Sequence, residues 1–370
     1  MRTVFAVFLL LLPAGVFAQN ADLPRTAEFC GDCHRAIFDG WKQSAHASAM
    51  ESRLFQDALK HAEQGFGGEA RKVCLRCHAP AAGFTGDLEL VRKVSWEGIT
   101  CDYCHSIREV STSGANPAAR VEFSDVKSGP TKDVTSPAHR TVFSAVHTSS
   151  LACISCHEYK NGLGFSVLAT YTEWKESAYM AARQECQNCH MYTVRGRVVD
   201  ASVKETSGSG VNLHQMPGSR SPEQLNKAIR MRVSSEREGG QIRVTVRLTN
   251  AGAGHYVPTG SPLRRLILEV KAEPYGGNPP LHQERVYTRV IADAKGEVIE
   301  REDMAFLRAA KVVKDTRIAP KETRTETFSF SVPGGKLTRL EASLSYYYSP
   351  MAGAESPQRI KFLTISRLIR

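Results

Sequence analysis

Apolar and polar positions follow two different periods along the 370-residue chain. In the first half they recur at helical spacing in short runs. Ile37, Phe38, Trp41, Ala45 and Ala49 predict a helix over the Pro-free stretch Arg35–Ala49, and Ser52–Gln64 predicts another, broken by Gly65-Phe-Gly-Gly68. Pro80 ends any helix that reaches it. Ser111–Asp133, rich in Ser, Gly, Pro and Ala, predicts a long surface loop. Asp200–Gly210 reads as a polar linker and Pro222–Val233 as a short helix. Beyond it the period becomes two. Gln241–Thr249, Thr327–Val332 and Leu340–Tyr348 alternate strictly, with turn residues at Pro274–Pro280, Ala294–Gly296 and Pro333–Gly335. The expected architecture is an α-helical, loop-rich domain over 19–220, then an antiparallel β-sandwich of immunoglobulin-like type over 221–370.

Residues 1–18 fit neither regime. Arg2, the apolar run Val4–Leu12 and the small-residue site Val16-Phe17-Ala18 read as a signal peptide. The run is too short to span a bilayer, and no later stretch approaches about 18 consecutive apolar residues. The expected protein is exported to the periplasm or cell surface, with no integral span after cleavage.

The cysteines carry the chemistry. All ten fall in five copies of C-x-x-C-H: Cys30/Cys33/His34, Cys74/Cys77/His78, Cys101/Cys104/His105, Cys153/Cys156/His157 and Cys186/Cys189/His190. Two thiols this far apart lie about one helical turn from each other and can add to the two vinyl groups of one porphyrin. The following His then reaches the iron from the same face. Disulfide frameworks, zinc knuckles and thioredoxin-like pairs need no His after the second Cys. The pattern therefore predicts five covalently attached c-type haems, with His34, His78, His105, His157 and His190 as iron ligands.

A second ligand for each iron must come from the seven remaining histidines. His46 lies on the predicted 35–49 helix, too far along to fold over its own haem, so a neighbouring haem is its expected target. His61 sits near the end of the 52–64 helix. His139 and His147 are eight apart and would share one helix face, so they do not serve opposite sides of one haem. His214 precedes Met216-Pro-Gly. His255 follows two glycines in Gly252-Ala-Gly254-His255, where the backbone can approach another surface closely. His282 completes the set. Five sixth ligands from seven histidines favour closed, bis-His iron throughout; Met216, Met191 and Met180 are soft alternatives or packing residues.

A formal charge of +10 would ordinarily suggest an acidic partner. Five haems bring about ten propionates, so the basic excess reads as their compensation, and no nucleic-acid partner is expected. One internal repeat stands out: Tyr171-Thr-Glu-Trp174-Lys-Glu-Ser-Ala-Tyr179 restates Trp41-Lys-Gln-Ser-Ala-His46 with Tyr in place of His.

The segments Cys30-Gly-Asp-Cys-His34, Trp41-Lys-Gln-Ser-Ala-His46, Cys74-Leu-Arg-Cys-His-Ala-Pro80, Glu97-Gly-Ile-Thr-Cys-Asp-Tyr-Cys-His105 and Glu173-Trp174 resemble the multihaem cytochrome c-552/4 family. That resemblance implies an axial role for His46 on another haem. Gly254-His255-Tyr-Val-Pro-Thr-Gly260 resembles loops in the β-rich C-terminal domains of related multihaem proteins. Closed irons shuttle single electrons without binding substrate, so the expected function is electron carriage rather than enzymology. The expected partners are other cytochromes, a quinol oxidoreductase or a terminal reductase, and an oligomer is possible. An oxidoreductase acting on a small nitrogen or sulfur species would need one open haem, for which Tyr179 marks the first place to look; no catalytic residue is assigned. The third expectation is a subunit of a conductive filament.

Overall fold

A computed structural model describes residues 23–203, 210–276, 279–332, 334–351 and 357–370. The signal-peptide expectation and part of the 200–210 linker lie outside them. No helix among the described residues is long and apolar enough to cross a membrane.

Seven long strands dominate the C-terminal half: β1 (Ile229–Glu238), β2 (Gln241–Asn250), β3 (Arg265–Pro274), β4 (Leu281–Tyr287), β5 (Thr323–Ser331), β6 (Thr338–Tyr348) and β7 (Gln358–Ile369). They form a three-stranded sheet, β5-β2-β1, and a four-stranded sheet, β4-β3-β6-β7, antiparallel throughout. Strict alternation builds this arrangement. Ile242, Val244, Val246 and Leu248 of β2 share one buried core with Leu266, Leu268 and Val270 of β3 and Leu340, Ala342 and Leu344 of β6. A one-residue slip would turn each set out to water, and each fully buried Leu, Ile or Val contributes roughly 1.5–3 kcal/mol.

The predicted helix over 222–233 is corrected. The helix runs only from Pro222 to Ala228, and Ile229 opens β1. Ile229, Met231 and Val233 alternate into the core, so sheet pairing with β2 outweighs weak helix propensity. Between β4 and β5 lies an excursion that no periodicity announced: strands Arg289–Ala292 and Lys311–Asp315 pair around the helix Glu302–Arg308.

The N-terminal half consists of short helices and two-stranded ribbons around small apolar clusters. Met50, Phe55, Leu59 and Leu75 form one cluster; Ala27, Phe38 and Trp41 form another. The helix predicted over 35–49 stops at Lys42. Beyond it the Trp41 indole donates to the Ile99 carbonyl, and the His46 carbonyl accepts from the Ile99 amide at 3.1 Å. Gly98 allows that approach, because a Cβ there would lie 2.2 Å from the His46 oxygen. The expected loop 111–133 contains two short strands: Ala118–Val121 pairs with Ile107–Ser111, and Val126–Gly129 pairs in parallel with Arg140–Phe143. His139 and His147 therefore share no helix; a strand and the 3-10 turn Ala145–Thr148 follow His139.

Candidate haem sites

Each C-x-x-C-H motif sits on or directly after one helical turn. Cys74–His78 ends the helix Gly68–His78, Cys153–His157 ends Leu151–His157, and Cys101–His105 and Cys186–His190 are helices by themselves. Cys30 lies in Ala27–Gly31, and the His34 amide reaches back to the Cys30 carbonyl at 2.9 Å. The caps are local: the Thr100 hydroxyl accepts from the Tyr103 amide, and Glu185 and Asn188 form a capping box.

All ten cysteines line one continuous cavity of about 1600 Å³. Neighbouring motifs meet through their thiols. Cys30 and Cys101 perturb one another, as do Cys77 and Cys156, and Cys153 and Cys186. Spatial order therefore differs from chain order: the first motif adjoins the third, and the fourth adjoins the second and the fifth.

Histidines face one another in four pairs across this cavity. Ring centroids are 6.2 Å apart for His34 and His139, for His46 and His157, and for His105 and His214, and 6.4 Å apart for His190 and His255. Two imidazoles on one metal, each with a metal–nitrogen bond of about 2 Å and a ring centre roughly 1 Å beyond, give a separation of about 6 Å. The residues thus fit haem iron held from both faces.

The remaining ring nitrogens support the same fit. Nδ1 of His34, His105, His190, His214 and His255 contacts the carbonyls of Val198, Ser128, Pro217, Asn212 and Tyr256 at 2.6–2.9 Å. A carbonyl only accepts, so each Nδ1 donates and each Nε2 keeps its lone pair for a metal. The His46 Nδ1 lies 2.8 Å from the Met216 sulfur, which makes Met216 a support for His46. Burial pushes His46 and His78 down to about 4 and His105 and His157 down to about 3, so all four are neutral imidazoles at pH 7.

Two expected ligands fall outside this scheme. His147 stacks on His105 with centroids 5.5 Å apart, and its Nε2 donates to the Cys104 carbonyl at 2.9 Å, so that nitrogen has no free lone pair. His61 is half-buried on its helix and does not line the cavity. His282 is also remote, with Nε2 3.3 Å from Glu269. Among the described residues four histidines thus face a motif histidine at about 6 Å, while His147 lies closer to His105 and leaves its own buried Nδ1 without a hydrogen-bond partner. His78 has the Phe55 ring stacked on it at 3.8 Å, and no histidine faces it among the described residues. Of the soft alternatives, Met191 lines the cavity and Met180 is exposed.

His255 comes from the β region, and sequence reasoning missed what aims it. The Glu173 carboxylate accepts from the Tyr256 amide at 3.2 Å, the Thr259 hydroxyl at 2.7 Å and the Arg317 guanidinium at 2.6 Å. Arg317 also pairs with Asp315 and lies over the Tyr256 ring. Glu173 directly precedes Trp174 of the repeated element, but no motif marks its distant partner Arg317.

A family profile described as "Cytochrome c554 and c-prime" matches residues 29–106. Cytochrome c-554 of Nitrosomonas europaea is 34% identical over 83 residues, 20% of this chain and 35% of that protein. The match thus spans about a third of the relative's length. Among solved structures, the penta-heme cytochrome c552 from Thermochromatium tepidum superposes with a TM-score of 0.73 at 21% identity. The superposition covers 94% of this chain and 99% of that one, so the likeness in fold takes in both the helical and the β-rich halves.

Proposed function

We infer that this chain, a multihaem c-type cytochrome with covalently attached haems, is an exported electron carrier that holds five haems. The observation that carries the reading is the set of four facing histidine pairs around one cavity bordered by all ten motif cysteines. Haem iron supplies reversible one-electron chemistry. The chain's contribution would be to hold four of the irons between facing imidazoles, to orient most of those rings through Nδ1, and to keep the motifs close enough for neighbouring thiols to interact. Residues 19–220 form the haem-bearing domain. Residues 221–370 form an immunoglobulin-like sandwich, a reading supported by seven antiparallel strands in two sheets over one core. Its role is to supply His255. The partners assigned are other cytochromes, a quinol oxidoreductase or a terminal reductase. The export assignment rests on the Met1–Ala18 pattern.

A second reading has one specific observation behind it. Among the described residues no histidine faces His78, so the second motif is the place for an open iron and for oxidoreductase chemistry on a small nitrogen or sulfur species. Tyr179, the first place to look by sequence, instead packs under the loop that carries His255. Two measurements test both readings. The pyridine haemochrome of purified protein reports five c-type haems per chain; four or fewer refutes the count. EPR of the oxidised protein shows four low-spin haems and one high-spin haem. Five low-spin signals would remove the second reading and keep the first.

A further inference from the structure

We propose that Arg264 and Glu302, with Ser261 and Tyr348, form a binding pocket for a small oxyanion beside the second haem. The proposal rests on the reading of His78 as a ligand without a facing histidine. All four side chains come from the β-rich half and line the cavity. Glu302 opens the helix Glu302–Arg308, which packs on the helix Arg53–Phe66 that brings Phe55 against His78. Arg264 acts electrostatically on His78 and also on His157, and Glu302 acts on Cys74. These effects place both groups at the second-motif end of the cavity, on the side of the fourth motif.

The donors are arranged for an acceptor not yet named. Arg264 Nη1 donates to the Thr259 carbonyl at 3.0 Å, while its buried Nε has no partner. Gly260, at φ +85°, makes room for the guanidinium, since a Cβ there would lie 2.7 Å from Nη1. The Glu302 carboxyl is held by the Ser261 hydroxyl at 2.6 Å and by Tyr348. Burial pushes Glu302 up to about 7, against the opposing pull of Ser261, Arg264 and Tyr348 and with help from Asp303. Near neutral pH the Arg264 charge is therefore only partly compensated. A planar guanidinium with a free donor suits a bidentate oxyanion, and a carboxyl poised near 7 can hold a proton beside it. A haem propionate offers the same acceptor chemistry, and the experiment separates the two.

Nitrite is titrated into the oxidised holoprotein and followed by its optical and EPR spectra; carbon monoxide is titrated into the reduced holoprotein. Wild type binds carbon monoxide at one haem and binds nitrite saturably. Arg264→Gln weakens nitrite by about tenfold or more, leaves carbon monoxide affinity unchanged, and Arg264→Lys recovers part of the loss. If Arg264→Gln does not assemble, Glu302→Gln carries the test: at pH 8 it removes a negative charge and tightens nitrite severalfold. The groups facing Glu302 there are Arg264, Ser261, Tyr348 and Asp303. Carbon monoxide binding with nitrite affinity indifferent to both substitutions makes Arg264 a propionate counter-ion and overturns the proposal. If carbon monoxide binds no haem, the open-haem reading fails first.

Discussion

The Glu173–Arg317 pair makes a quantitative statement about how His255 is held. Their side chains are 6% and 9% exposed, and Glu173 takes hydrogen bonds from Tyr256 and Thr259, which follow His255 in the same loop. Replacing Arg317 by Met keeps most of the volume and deletes the cation. Breaking a buried pair by removing one partner costs about 3–5 kcal/mol. Glu173 keeps two of its three hydrogen bonds, and Asp315, at 30% exposure, can rehydrate. The expected loss is therefore at the low end, about 3 kcal/mol, or roughly a hundredfold in the equilibrium between docked and undocked loop.

That loss has a definite location. The core residues beside the pair, Ile318 and Val257, keep their own side chains and their mutual backbone hydrogen bonds, so the weakened contact is the one between the His255 loop and the helix Thr170–Lys175 that carries Glu173. Two readouts follow. The denaturant midpoint of the holoprotein drops by an amount corresponding to about 3 kcal/mol, and part of one low-spin EPR signal converts to high spin. Arg317→Lys falls between, because it retains charge but not the fork that joins Glu173 to Asp315. A loss below about 1 kcal/mol with an unchanged EPR spectrum would show that the pair does not position His255.

Other substitutions test the remaining assignments. His46→Ala, His139→Ala, His214→Ala and His255→Ala each convert one haem to high spin in the oxidised EPR spectrum, whereas His61→Ala and His282→Ala leave it unchanged; an unchanged spectrum for any of the first four makes that histidine structural. Glu302 yields a stability slope whose sign is fixed. Its carboxyl is raised to about 7 in the folded chain from an ordinary 4.5, so between those values the native state binds more protons than the unfolded one. Stability is greatest below about 4.5 and falls as pH rises to about 7, by about 3 kcal/mol in total. Unfolding at pH 5 and pH 7.5 should show this fall in wild type and not in Glu302→Gln; equal slopes refute it.

What the sequence made legible was local. A C-x-x-C-H motif carries its meaning within five residues, and strict alternation over Gln241–Thr249 fixes both a strand and the face it buries. The pairings were not legible, because each joins residues far apart in the chain: His46 meets His157, His105 meets His214, and His190 meets His255. Nor could spacing show that the first motif adjoins the third. His139 and His147 misled through period alone. Eight residues suit one face of a helix, but parallel pairing of Val126–Gly129 with Arg140–Phe143 consumes the backbone between them. His147 then spends its Nε2 on Cys104, an outcome set by tertiary contacts.

The imperfect repeat changes meaning for the same reason. Tyr179 in place of the His46 equivalent pointed to a missing ligand at that spot. The Tyr179 hydroxyl instead donates to the Ala251 carbonyl at 2.7 Å and accepts from Lys321 at 2.6 Å. Gly254 packs on it so closely that a Cβ there would lie 3.0 Å from Trp174 and 3.1 Å from Tyr179. The second copy of the element is thus a seat for the 251–260 loop, and the loop carries the histidine that the copy lacks. With His255 as the proposed second ligand at the fifth motif, haem coordination there would depend on the docking of the β-rich half. The same half sets Arg264 and Glu302 toward the second motif, where among the described residues no histidine faces His78. In the proposed reading it would close one iron and furnish the surroundings of another, and the division between conduction and chemistry would then be drawn by the β-rich half.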